Sequence, residues 1–153
     1  MLNTTLCILL QFSPNPTPEQ IHNINLIDLL GEHELTLVVA GIESGFVDGL
    51  TSPANATGLM QITPIAQQEI NLQHPDVVFD RYNTLDNIII GDAYLEWLGL
   101  TFNNKYQVLM AYNWGIGNVI KWRTNPEANP IPKETQNYIK KYKQVEKACG
   151  LDK

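Results

Sequence analysis

Lysine and arginine are missing from the first 80 of the 153 residues, a stretch that holds nine Asp and Glu. All ten basic residues lie between Arg81 and Lys153, against seven acids. A secretory signal opens with a cationic segment, and a mitochondrial transit peptide is arginine-rich, so the N-terminus resembles neither. No apolar run approaches the ~18 residues of a membrane span. The run from Leu6 to Leu10 is too short and stops at Gln11. A net charge of -6 and a pI near 4.9 leave no basic footprint for nucleic acid. The positive excess is confined to the C-terminal end, with eight bases and four acids from Lys121 onward.

Cysteine is also scarce. Cys7 and Cys149 stand near opposite ends, and their spacing carries no pairing signal. The expectation is two free thiols, unless the termini meet in space. The three histidines, His22, His33 and His74, share no ligand spacing of the His-Glu-x-x-His kind, and no phosphate-binding glycine loop is present. Neither a metal nor a cofactor is expected.

What is present reads as one mainly α domain over residues 1–153, without repeats or linkers. A chain of this length buries about 68–70% of its unfolded surface and needs no metal or disulfide staple. Three prolines make residues 11–18 an extended lead-in. Thr17, Pro18 and Gln20 then form a helix start with a capping box, and Gly31 ends that helix. Glu34 to Glu43 is apolar on most sides, which marks a buried helix. Residues 44–58 hold three glycines and a proline and read as an irregular loop or small hairpin. Thr63-Pro64 caps a short helix, and Asn83 or Thr84 a long one from Leu85 to about Leu100. Helices follow over Lys105 to Tyr112, around Val119 to Arg123, and from Pro132 to Gly150.

Glu43 is the first candidate for chemistry. It ends the buried helix between Ile42 and Phe46, and apolar surroundings raise a carboxyl pKa toward the range of a general acid. No base lies near it in sequence. Three further segments stand out: Ser52 to Pro64, containing Gly58-Leu59-Met60-Gln61; Ala111-Tyr112-Asn113-Trp114-Gly115-Ile116-Gly117; and Glu134-Thr135-Gln136-Asn137-Tyr138. Singly, each has an ordinary structural reading: Met60 as core filler, Tyr112 as a helix-face aromatic, Glu134 as a first-turn acid.

In this order they resemble the soluble lytic transglycosylase family, which shares the goose-type-lysozyme fold and cleaves peptidoglycan. Its pattern is Glu-Ser-x-Phe, a Gly-Leu-Met-Gln loop, Ala-Tyr-Asn-x-Gly-x-Gly and Glu-Thr-x-x-Tyr. Asn87, Gly91, Tyr94 and Leu95 resemble the intervening helix. The match runs from about Leu37 to Tyr142, and residues 1–33 match nothing in it. Asn55 stands where the family has Gly. Val47-Asp48-Gly49 replaces a common Asn-Pro or Asp-Pro, and Trp114 and Ile116 replace a small residue and a proline.

The resemblance implies a single-carboxyl route. Glu43 would protonate the bond between N-acetylmuramic acid and N-acetylglucosamine, then act as base while a 1,6-anhydro ring closes. A lysozyme-type hydrolase or an inactive wall-binding module are the alternatives. Gln61 would bind an N-acetyl group, and Met60 would line an apolar floor. Ser52 and Tyr138 would orient Glu43 or the substrate, and Tyr112 and Asn113 would shape the groove wall. Tyr106, Trp97 and Trp114 are candidates for stacking on sugars, with Trp97 favoured for the core. Asp48, the nearest second carboxyl, suits a turn role better than catalysis. The expected partner is the peptidoglycan strand, with no nucleic acid and no membrane span, at the cell wall in the periplasm or outside. The missing cationic start suggests a bacteriophage particle or a secretion apparatus as the carrier.

Overall fold

The structure, a computed structural model, describes residues 3–31 and 33–152. Among them are eight helices: α1 Thr4–Phe12, α2 Pro18–Leu30, α3 Glu34–Ser44, α4 Pro64–Gln73, α5 Thr84–Thr101, α6 Lys105–Trp114, α7 Ile116–Thr124 and α8 Lys133–Cys149. The chain is mainly α, and the only β features among these residues are two isolated antiparallel bridges, Thr51 to Thr57 and Thr57 to Ile62. They close the small irregular hairpin expected between α3 and α4.

Local chemistry sets most boundaries. Thr17 accepts from the Gln20 N–H while the Gln20 side chain accepts from the Thr17 N–H, so the capping box is complete with Pro18 in the first turn. Asn83 Oδ1 accepts from the N–H groups of Leu85 and Asp86, and Asn104 does the same for Tyr106 and Gln107. Gly150 closes α8 at φ 64°, a left-handed cap that costs glycine little.

α3 is the central post, packed against α1, α2, α5 and α8. Its residues Thr36 to Gly41 are all buried, which is why its sequence is apolar around most of its circumference. α5 and α6 continue the core through Ile88, Ile90, Leu95, Leu98, Val108 and Leu109.

Two expectations are corrected at the ends of the chain. The lead-in from residue 11 starts only at Ser13, because α1 runs to Phe12. Asn3 caps α1, and Ile8 and Leu9 enter the core. The Phe12 ring lies over Gly41, where a Cβ would meet it at 2.3 Å, and meets Phe46 edge-on at 5.8 Å. Nine residues without a charge give no periodicity to read, so the helix emerges only from what it packs on. The second correction is that Cys7 and Cys149 form a disulfide with Cα atoms 5.8 Å apart. α1 lies against α8 and so brings together thiols 142 residues apart in sequence.

Candidate active site

Glu43 is the next-to-last residue of α3. The chain must turn sharply after it, and Gly45 and Phe46 both adopt positive φ, 60° and 64°. For a buried Phe this is a strained backbone. It is held from α2: Gln20 Nε2 donates to Gly45 O at 2.9 Å and Asn23 Nδ2 to Phe46 O at 2.9 Å. Ser44 Oγ–H is shared between Leu59 O at 2.8 Å and Ala40 O at 3.1 Å, tying the helix end to the Gly-Leu-Met-Gln loop.

The Glu43 side chain is half-buried. The hydroxyl of Tyr138, on α8, donates to Glu43 Oε1 at 2.8 Å. Burial pushes the Glu43 carboxyl up to about 7; the Tyr138 hydrogen bond lowers it in part, and the charge of Glu134 raises it. Its place at the negative end of the α3 dipole acts in the same upward direction. The Lys105–Glu146 ion pair and the His33–Glu96 contact, both among the described residues, lie elsewhere. Burial, aided by the charge of Glu43, holds the phenols of Tyr138 and Tyr112 well above their ordinary value. Both therefore stay neutral hydrogen-bond donors.

The loop beside Glu43 is built around Asn87 of α5. Its Oδ1 accepts from Met60 N at 2.9 Å, and its Nδ2 donates to Thr57 O and Arg81 O, both at 2.8 Å. Gly58 has φ 79°, and a Cβ there would lie 2.3 Å from Asn87 Nδ2, so space and backbone both demand glycine. Arg81, the first cation of the chain, is buried and serves this loop rather than the acid. It donates to Asn55 O at 2.6 Å, Asn55 Oδ1 at 3.1 Å, Ile62 O at 3.1 Å and the Tyr82 hydroxyl at 2.7 Å. Asn55 sits at φ 62°, so Asn with Arg81 behind it fills the position where a Gly is usual.

The other residues singled out in sequence fall into two groups. Gln61, Tyr112, Asn113 and Trp114 line one groove of about 240 Å³, together with Thr63 and Tyr94. Gln61 Nε2 donates to the carbonyls of Leu50 and Gly58, both at 3.0 Å, which fixes the amide at the rim. The Tyr112 hydroxyl donates to Met60 O at 2.7 Å. Asn113 Oδ1 accepts from the buried Thr135 hydroxyl at 2.8 Å.

The second group stays out of the groove. Met60 is fully buried beneath it, its side chain against Gly91. Ser52 Oγ accepts from Ala56 N at 3.1 Å and stands in the hairpin turn without a bond to Glu43. Asp48 accepts from Thr84 Oγ1 at 2.5 Å and from Gly49 N at 2.7 Å, which is a turn role. Trp97 stacks on Tyr94 at 5.4 Å against the core, and Tyr106 donates to Glu146 between α6 and α8. A larger depression of about 560 Å³ on another face of α4 contains none of the proposed site residues. Among the described residues no group of His, Cys, Asp and Glu could hold a metal.

Reading the residues missed Gln20, Asn23 and Arg81 as supports of the site, and gave Ser44 and Thr135 no role of their own within their motifs. The capping box gave Gln20 one role already, and a polar residue inside a helix carries no mark of what it will hold.

Residues 30–135 match the family model described as the Transglycosylase SLT domain. A Haemophilus influenzae protein, a soluble lytic murein transglycosylase by name, is 31% identical over 114 residues, 71% of this chain and 19% of that protein. Membrane-bound lytic murein transglycosylase C of Actinobacillus pleuropneumoniae is 35% identical over 104 residues, 59% of this chain and 28% of that one. The chain thus spans about a fifth to just over a quarter of these relatives. The 70 kDa soluble lytic transglycosylase of Escherichia coli superposes with a TM-score of 0.67 at 23% identity, covering 94% of this chain and 24% of that one. An inactive Glu-to-Gln variant of the Pseudomonas aeruginosa lytic transglycosylase Slt gives 0.66 at 22%, covering 92% and 24%. At these identities the two structures establish the fold.

Proposed function

Since the chain belongs to the Transglycosylase SLT domain family, we propose that it cleaves the β-1,4 bond between N-acetylmuramic acid and N-acetylglucosamine in peptidoglycan, with Glu43 as the only acid and base. The observation that carries this reading is the Glu43 carboxyl itself: half-buried, bonded to Tyr138, and raised to about 7. One group that first gives and then takes a proton works best with a pKa near the working pH.

Protonated Glu43 donates to the glycosidic oxygen, and the bond to the muramoyl C1 breaks. The N-acetyl oxygen of the same sugar shares the positive charge that develops at C1. The C6 hydroxyl then attacks C1, its proton passes to the Glu43 carboxylate, and a 1,6-anhydro ring closes. Glu43 ends as it began, and water is not consumed. Tyr138 steadies the carboxylate between the two steps. Gln61 and Asn113, which line the groove, bind amides of the sugars in this reading, and Trp114 offers an apolar face. Most glycosidases use two carboxyl groups; the nearest second one, Asp48, is committed to Thr84 and Gly49. The Pseudomonas neighbour, inactive with Gln in place of a Glu, supports the weight placed on one carboxyl.

The wall is the site of action in this reading, in the periplasm or from outside, with a virion or a secretion apparatus as the carrier. The test is Glu43→Gln. It should release no soluble fragments from purified wall while its fold, read by circular dichroism, is kept. Wall release at the unsubstituted rate would remove Glu43 from the mechanism.

A further inference from the structure

The last helix carries cations of one sign along its outer face. α8 turns about 100° per residue. Lys133, Lys140, Lys143 and Lys147 therefore fall within a sector of about 80° and span about 21 Å along the axis. All four are exposed. The two acids of α8 lie off the stripe: Glu134 points well to one side, and Glu146 is buried and paired with Lys105. A shallow depression of about 400 Å³ on the stripe is lined by Gln136, Ile139, Lys140, Lys143, Gln144 and Lys147, with no carboxylate.

An ordinary solvated helix face mixes signs, because opposite charges one turn apart support a helix and like charges weaken it. The helix dipole favours cations only in the last turn, which accounts for Lys147 and not for Lys133 or Lys140. The stripe is kept on a chain whose net charge is -6. Such a surface is matched by an extended array of anions.

We infer that the Lys133, Lys140, Lys143 and Lys147 face docks on the carboxylates of the peptide stems of peptidoglycan, and so holds the enzyme on the wall. This rests on the function proposed above. Tyr138, which touches Glu43, is on the opposite side of α8 from the stripe, so the anions belong to a strand beside the one being cut. An anionic bilayer is the poorer match. A helix that lies in a membrane surface buries its apolar face there, and the apolar face of α8 (Tyr138, Tyr142 and Val145) is already buried in the core.

Glu43→Gln protein is sedimented with purified sacculi, alone and carrying Lys133→Gln, Lys140→Gln and Lys147→Gln. Lys143 is left in place because it also covers the Tyr106 ring at 4.5 Å. The affinity should fall about tenfold in the triple variant, on sacculi whose stem carboxylates have been amidated, and on raising salt from ~50 to ~300 mM. With Glu43 restored, cleavage of peptide-free soluble glycan strands should be equal with and without the three lysines. Undiminished binding by the triple variant or to amidated sacculi overturns the proposal, as does preferential binding to phosphatidylglycerol vesicles. Failure of the proposed function reads differently: the soluble strands would stay uncut by every variant, whatever sediments.

Discussion

The Tyr138 hydroxyl donates a 2.8 Å hydrogen bond to Glu43 Oε1 across 95 residues of sequence, joining the first motif to the last. It is the largest influence opposing burial on this carboxyl. Tyr138→Phe should therefore raise the Glu43 pKa further. A hydrogen bond to a charged group contributes about 1.5–3 kcal/mol, so the alkaline limb of the pH–activity profile should move up by about one to two pH units. Activity should fall as the carboxylate formed between the two steps loses its donor. An unchanged limb would show that the bond does not set the titration.

The same carboxyl has a consequence for stability. Its folded pKa, about 7, lies above the usual 4.5, so the folded chain binds the extra proton between those values. Stability from this group is complete below about pH 4.5 and is lost as pH rises through 7. Glu43→Gln mimics the neutral acid and loses nothing over that range. Screening by solvent at a half-buried site reduces the effect to on the order of 1–2 kcal/mol. Denaturant midpoints of the two proteins should coincide near pH 4.5 and separate in favour of Glu43→Gln at pH 8.

Asn87 satisfies three backbone groups behind the Gly-Leu-Met-Gln loop. Asn87→Ala takes the side-chain partner from Met60 N and Arg81 O and leaves Thr57 O with the Ile62 N–H alone, and should destabilise the chain by about 2–4 kcal/mol. Its kcat/KM should fall with the loss of loop order even at temperatures where the chain stays folded. Urea unfolding and initial rates on soluble strands measure the two effects separately.

Cys7 and Cys149 join α1 to α8, the helix that carries Tyr138. Thiol titration of oxidised, denatured protein should find no free thiol. Replacing both by Ser should lower stability by on the order of 2–4 kcal/mol.

These relationships were unequally visible in the residues. Caps were legible because they are local: Thr17-Pro18-x-Gln20 and Asn83 announce helix starts within four residues. Glu43, Tyr112 and Tyr138 drew notice through ordered motifs, whereas their contacts depend on helices meeting at a distance. α1 was illegible because nine uncharged residues before a proline cluster have no polar face to set a period. The disulfide was hidden for a related reason, since it follows from α1 packing on α8. The family resemblance put Met60 at the floor of the groove, yet positive φ at Gln61 and the bond from Met60 N to Asn87 turn its side chain inward. Asn55 was readable as standing where the family has Gly, but Arg81 behind it was not.

Product analysis of wall digested in water enriched in oxygen-18 separates ring closure at C1 from attack by water. If Glu43 alone carries both proton transfers, mass spectrometry will find 1,6-anhydro muramoyl ends, one water lighter than the hydrolysis product and free of label. Reducing muramoyl ends that carry oxygen-18 would show that water attacks C1, and would contradict the single-carboxyl mechanism.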